Sequence, residues 1–300
     1  MKNLDDLFLH YQEKSEQEKV QFPAQTQTTQ PGMESVMDPK PIFDRDDYIG
    51  SNKLKGKVAI ITGGDSGIGK AVAIAFAKEG AKIAIVYYNE HQDAKDTKDY
   101  IENLGGQCLV IAGDLKDPSF SDTIVNKTLD TFKKIDILIN NAAVQYPQKS
   151  LPDISNEQLD TTFKTNIYSM FYLTKAVLPH LPSYSTIINT TSVVAYKGEK
   201  ELIDYAATKG AIVSFTRSMA LSLVDKNIRV NAVAPGPIWT PLQPASWDTQ
   251  KIPTFGSQAP MKRAGQPVEL APTYVYLASA DSSYVSGQVL HVDGLETTSS

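Results

Sequence analysis

The chain has 300 residues, with 29 Lys and Arg against 34 Asp and Glu, a net charge of −5 and 41% hydrophobic residues. That length suits one α/β domain with extensions, and the acidic balance without a basic cluster argues against a nucleic-acid partner. One cysteine, Cys108, excludes an intrachain disulfide, the four scattered histidines suggest no metal site, and no apolar run is long enough to span a bilayer.

The opening residues Met1-Lys2-Asn3-Leu4-Asp5-Asp6 lack the apolar core of a secretory leader. With the lone cysteine, this gives the expectation of a cytoplasmic protein. Residues 1–52 are rich in Gln, Thr, Pro and charge and are expected to be mostly irregular. Within them, Leu4, Leu7, Phe8 and Tyr11 fall at i, i+3, i+4 and i+7, a short amphipathic face that either docks or frays.

The body of the fold is expected over 53–300. Its first strand, near 57–62, is a continuous apolar run of the kind that a parallel sheet buries on both faces. Thr62-Gly63-Gly64-Asp65-Ser66-Gly67-Ile68-Gly69 follows at once, and then Ile68, Ala71, Val72, Ala75 and Phe76 recur at helical spacing up to Gly80, a C-terminal cap. Strand, glycine turn and helix together point to a phosphate site: the glycines let the backbone approach a pyrophosphate, and the amides that open the helix face its charge. The spacing is G-x-x-x-G-x-G, not G-x-G-x-x-G.

Further strand-like segments lie near 82–88, 107–112, 135–140, 186–191, 228–233 and 288–292, alternating with helices. Seven strands in this alternation predict a single doubly wound, Rossmann-type domain with a seven-stranded parallel sheet and helices on both faces. The second strand ends at Tyr88, Asn89 and Glu90, with Glu90 lying 21 residues beyond Gly69. An acidic residue there favours NAD and a basic one NADP. Ser66 is neutral and no cation is evident for a 2′-phosphate, so the reading favours NAD over NADP, with a solvated loop carboxylate the other role for Glu90. Asp114, after the third strand, suits either a ligand contact or a turn.

A Y-x-x-x-K spacing carries little weight in a chain with 14 tyrosines, and two occur: Tyr205/Lys209 and Tyr196/Lys200, each with a serine thirteen residues upstream of the tyrosine, Ser192 and Ser183. Local structure separates them. Leu202 to Leu223 reads as a helix that places Tyr205 and Lys209 one turn apart on one face, whereas Tyr196 sits in a charged, glycine-containing loop. Ser192 follows the strand 186–191 and Ser183 precedes it, and ligands bind at the carboxyl ends of strands. A Lys ammonium about 6 Å from the phenol, at an effective dielectric near 20, contributes roughly 2.8 kcal/mol, or about two pKa units. With the further positive charge of an oxidised nicotinamide ring, Tyr205 is expected to titrate at about 7–8, where acid–base catalysis is efficient. Residues 237–262 contain five prolines with Trp239, Leu242, Trp247, Ile252 and Phe255. They are expected to form a mobile cover over a substrate, or else an apolar subunit interface.

These residues resemble the short-chain dehydrogenase/reductase family over about residues 53–294. The T-G-x-x-x-G-x-G motif is Thr62–Gly69, the family's N-N-A-G reads Asn140-Asn141-Ala142-Ala143, and Pro235-Gly236-Pro237-Ile238-Trp239-Thr240 is similar to P-G-x-I-x-T. Asn166, Ser192, Tyr205 and Lys209 match the family's four catalytic positions. Ala143 replaces the usual glycine, and Thr208 the usual serine before the lysine. The tail and Pro260–Pro267 are similar to those of bacterial stress-associated oxidoreductases related to plant glucose/ribitol dehydrogenases.

The resemblance implies an NAD(P)-dependent oxidoreductase acting on a small carbonyl, alcohol or sugar, assembled as a homotetramer. Tyr205 is then the proton donor and acceptor, Lys209 the ribose ligand that lowers its pKa, Ser192 the substrate-oxygen partner and Asn166 the holder of a relay water. The implied cofactor lining is Gly63, Asp65, Ser66, Gly67, Ile68 and Gly69 at the turn; Tyr88 and Asn89; Asp114 and Leu115; Asn141, Ala142 and Ala143; Tyr205 and Lys209; and Pro235, Gly236, Ile238 and Thr240. Two other readings stand beside it: a non-catalytic dinucleotide-binding or scaffold protein on the same fold, and an epimerase or dehydratase of the extended branch. The latter is disfavoured by the turn spacing and by the 91 residues left after Lys209.

Overall fold

The computed structural model describes residues 21–298. The amphipathic face at Leu4–Tyr11 lies outside them.

Seven parallel strands form one sheet: β1 (Val58–Thr62), β2 (Lys82–Tyr87), β3 (Cys108–Ala112), β4 (Ile137–Asn140), β5 (Thr186–Thr190), β6 (Arg229–Pro235) and β7 (Val289–Val292), in the order β3-β2-β1-β4-β5-β6-β7. The continuous apolar runs have the cause expected of them. Along β1, Ala59 and Ile61 enter one core and Val58 and Ile60 the other, as a period of two demands of a strand covered on both faces.

The first face carries α1 (Gly67–Lys78), α2 (His91–Asn103) and, late in the chain, Pro267–Ala278. The second carries α3 (Pro118–Phe132), and then a long helical stretch in which α4 (Asn156–Phe163) passes through a π turn, Lys164–Tyr168, into α5 (Ser169–Val177). A four-residue α6 (Val194–Lys197) precedes the long α7 (Ile203–Leu223), and Pro267–Ala278 is α8. The strand order reverses between β1 and β4, which opens a crevice at the carboxyl ends of the strands.

Residues 21–52 have no regular structure beyond a 3-10 turn, Glu34–Val36. They are nonetheless strapped to the body. Phe22 stacks on Trp239 with ring centroids 3.8 Å apart, Trp239 Nε1 donates to the Pro39 carbonyl at 2.8 Å, and the Gln27 amide donates to Pro244 at 2.7 Å. Phe22, Met37, Trp239, Ile252 and Ala264 fill a small core of their own.

This changes the reading of 237–262. Trp239 and Ile252 are fully buried beneath the strap and serve the body's own packing. The segment reaches the crevice instead through Ile238 and Thr240 to Gln243. Low hydropathy hid the strap's few anchors, because Phe22 and Met37 are isolated in a polar stretch.

Replacing Phe22 by Ala should cost about 3 kcal/mol of unfolding free energy in a urea titration and red-shift the tryptophan emission, since it uncovers Trp239. An unchanged midpoint and spectrum would mean that the strap is not docked in solution.

Candidate active site

The glycine turn is shaped by close approach. A β-carbon on Gly69 would lie 1.9 Å from the Gly63 carbonyl oxygen, and Gly63 itself has φ +61 beside Ala142. Thr62 Oγ1 accepts the Asn141 and Ala142 amides at 2.9 and 3.1 Å. The Asn141 side chain donates to the Thr62 carbonyl at 3.1 Å and accepts from Thr190 Oγ1 at 3.1 Å. The turns after β1 and β4 are thus tied to the end of β5, and together they floor one cleft of about 1350 Å³, counting its open mouth.

Most of the expected site residues line this cleft. Gly63, Asp65, Ser66, Gly67 and Ile68 stand at the turn, with Tyr88, Asp114 and Leu115 beyond it. Asn141, Ala142 and Ala143 come next, then Ser192, Tyr205 and Lys209, and Pro235, Gly236, Ile238 and Thr240 close the far wall. Three are not among the lining residues. Gly69 is consumed by the turn's packing, Asn89 is exposed, and Asn166 is turned inward. Asn166 lies in the π turn, 1% exposed; its Oδ1 accepts the Val144 amide at 2.9 Å, and its Nδ2 donates to the Val144 carbonyl at 2.9 Å and to Thr208 Oγ1 at 3.2 Å. Asp114 accepts the Lys116 amide at 2.9 Å, so it is also a turn former.

Tyr205 sits at the start of α7, behind Asp204, whose Oδ1 accepts the Tyr205 amide at 2.8 Å. Ser192 hydrogen-bonds the phenol. Lys209 Nζ lies 5.3 Å from the Tyr205 ring centroid and donates to the Thr190 carbonyl at 2.9 Å. The competing pair does not form a site: Gly198, at φ +74, ends the short α6 before Lys200, and Ser183 is exposed and bonded to the Lys226 carbonyl.

On balance, the protein's own groups do not lower the phenol. Burial raises Tyr205 above its ordinary value, against the pull of Ser192, and pushes Lys209 down to about 7. With both groups out of water, the charged form of each is disfavoured.

Several lining residues went unread in the sequence. Gln30, Pro31 and Gly32 come from the strap, Tyr146, Thr161 and Thr165 from the loop after β4 and the helical stretch beyond it, and Gln243 from the segment after β6, beside Leu242 of the expected cover. The Pro31-Gly32 turn signal was the one available clue to the first group. Lys116 also lines the cleft, 3.5 Å from Asp114, so a cation is present where the sequence showed none.

Beyond β2 the acids gather. Asp65 is buried, and desolvation, with Glu90 as the next largest cause, pushes it up to about 7. Burial raises Glu90 too, and its Oε1 is buried without a hydrogen-bond partner. Such an orphan acceptor on the cleft wall fits a ribose hydroxyl, and the glycine turn fits a pyrophosphate.

Residues 63–294 match the family model described as enoyl-(acyl carrier protein) reductase. The chain belongs to the short-chain dehydrogenase/reductase family. Among relatives, the uncharacterized oxidoreductase YhxC of Bacillus subtilis is 60% identical over 93% of this chain and 97% of its own length. An NADPH-dependent aldehyde reductase of Arabidopsis thaliana is 52% identical over 90% and 96%, and the glucose and ribitol dehydrogenase of Daucus carota is 50% identical over 91% and 96%. Of solved structures, a Burkholderia cenocepacia short-chain dehydrogenase in complex with NADP superposes with TM-score 0.75 at 29% identity, covering 81% of this chain and 98% of its own. A Brucella melitensis 3-ketoacyl-(acyl-carrier-protein) reductase complexed with NADH gives 0.74 at 31%, covering 82% and 100%. These two neighbours thus hold NADP and NADH respectively. Among the described residues, no helix is long and apolar enough to cross a membrane.

The Asp65 shift has a measurable sign. Its carboxyl holds a proton up to about pH 7 in the folded chain but only to the ordinary 3.8 when unfolded. The folded state therefore loses stability as pH rises through that window. Asp65→Asn should melt above wild type at pH 8, with the gap narrowing toward pH 5; an Asn variant that melts lower at pH 8 would contradict the buried-acid account.

Proposed function

We propose that this chain is an NAD(P)-dependent oxidoreductase that transfers a hydride between nicotinamide and a small carbonyl or alcohol, with Tyr205 as general acid and base. The supporting observation is the meeting of Ser192, Tyr205 and Lys209 with the glycine turn in one cleft. The bound nicotinamide would supply or accept the hydride.

The chain's own residues do the rest. Gly63 to Ile68 would cradle the pyrophosphate, Glu90 would accept from the adenosine ribose, and Asn141 to Ala143 and Pro235 to Thr240 would border the nicotinamide half. Ser192 orients the substrate oxygen. The Tyr205 phenol, kept protonated by burial, donates its proton to that oxygen in the reductive direction. Lys209, pushed down to about 7, exchanges protons readily at neutral pH and holds the nicotinamide ribose. Asn166 fixes the Val144 backbone at the cleft's edge.

Tyr146, Thr161, Thr165 and Gln243 give the wall hydroxyl and amide groups, which suits an aldehyde, ketone or sugar. The sugar and aldehyde names carried by relatives agree with that class. NAD is the favoured nucleotide, because a 2′-phosphate would face Asp65 and Glu90 with Lys116 already paired to Asp114. A cytoplasmic homotetramer completes the reading, with no nucleic-acid or membrane partner.

The test is the initial rate of NADH and NADPH oxidation over a panel of aldehydes, ketones and sugars. Tyr205→Phe should lower kcat by about 10²–10⁴-fold with little change in nucleotide affinity. Equal activity of the two proteins would sink the tyrosine assignment, and binding without turnover across the panel would favour the scaffold reading.

A further inference from the structure

The N-terminal strap reaches the glycine turn itself. Glu34 is 2% exposed. Its Oε2 accepts the Gly67 amide at 2.8 Å and its Oε1 accepts Lys70 Nζ at 2.7 Å. Lys70 also lies over the Phe43 ring, 4.0 Å from its centroid, so the strap holds that lysine from two sides.

The strap is pinned in its turn. The amides of Glu34 and Ser35 donate to the Asp93 carboxylate at 2.6 and 2.9 Å. Gln30 accepts the Gln145 amide at 3.1 Å and donates to Ser246 Oγ at 3.1 Å, which ties it to both lips of the cleft. Gln30, Pro31 and Gly32 line that cleft.

Stability alone does not account for this arrangement. A buried ion pair contributes little net stability, and an apolar pair of similar volume would serve as well. An apolar pair cannot accept the Gly67 amide. Gly67 is the first residue of α1, in the left-handed region at φ +51, with Thr240 3.0 Å from where a β-carbon would sit. Its amide is one of the unpaired donors of a helix start, and Glu34 fixes its direction while Lys70 balances the charge.

We propose that Glu34 is a positioning residue of the dinucleotide site. It locks the left-handed residue of the turn so that the amides that follow face the phosphates, which makes the strap a working part of the site rather than an appendage. The proposal rests on reading the cleft as a nicotinamide dinucleotide site.

The experiment is calorimetric binding of NADH and NADPH to the full-length chain, for wild type, Glu34→Gln, Glu34→Ala and the double variant Glu34→Ala/Lys70→Met, with melting curves for each. The Kd for NADH should rise about tenfold in both Ala variants, the worth of one charge-assisted hydrogen bond. Glu34→Gln, whose amide oxygen still accepts from Gly67, should stay within about threefold. The double variant leaves no unpaired buried charge and should melt near wild type. If Glu34 serves only to neutralise Lys70, the double variant regains wild-type affinity, and the proposal fails. Tighter binding in Glu34→Ala overturns it as well, since the carboxylate would then be competing with the phosphates. A wild-type chain that binds neither nucleotide removes the dinucleotide reading and this proposal together.

Discussion

The structure turns on a contact that tolerates no side chain. Where α1 leaves the end of β1, Gly69 lies so close to the Gly63 carbonyl that a β-carbon would sit 1.9 Å from its oxygen. That approach lets the helix start directly above the strand, with its unpaired amides aimed across the crevice where the strand order reverses. The cleft, the seam through Thr62 and Asn141, and the seat of the strap all follow from that geometry. A larger residue at Gly69 would displace the whole first βα unit, not one side chain.

Burial is the second organising theme, and it acts in opposite directions at the two ends of the cleft. Around Tyr205 and Lys209, loss of water disfavours the charged form of each group, so the phenol keeps its proton and the ammonium gives one up more readily than in water. Around Asp65 and Glu90 it accumulates carboxyls that repel one another and hold protons to unusually high pH. Burial raises Glu34 as well, with Lys70 offsetting part of the effect.

How much was legible in the sequence differs sharply by element. The strands could be read because double-sided burial leaves an unbroken apolar run, as at Val58–Ile61, and α7 because its apolar residues keep helical register from Ala206 to Leu223. The position of Ser192 followed from strand direction alone. The strap could not be read, because its affinity for the body resides in single residues, Phe22, Glu34 and Met37, whose partners lie far off in sequence and leave no periodic trace. The state of the phenol was also out of reach: the helical spacing of Tyr205 and Lys209 fixes their separation, but the electrostatic balance depends on how thoroughly other elements exclude water from both. Lys116 was overlooked because a lysine in a turn after β3 looks like any solvated lysine until the cleft is seen to pass beside it.

The strap also gives the chain an order of assembly. Phe22 is made early, yet the ring it stacks on is Trp239, 217 residues later. At about 5–20 residues per second, roughly 10–45 s of synthesis separate the two. Over that interval Phe22 has no ring to stack on, although Gly67, Lys70 and Asp93, the partners of Glu34, are made soon after it. The described strap is therefore fastened in two stages, at Glu34 by partners made soon after it, and at Phe22 and Gln30 by Trp239 and Ser246 once most of the chain has been made.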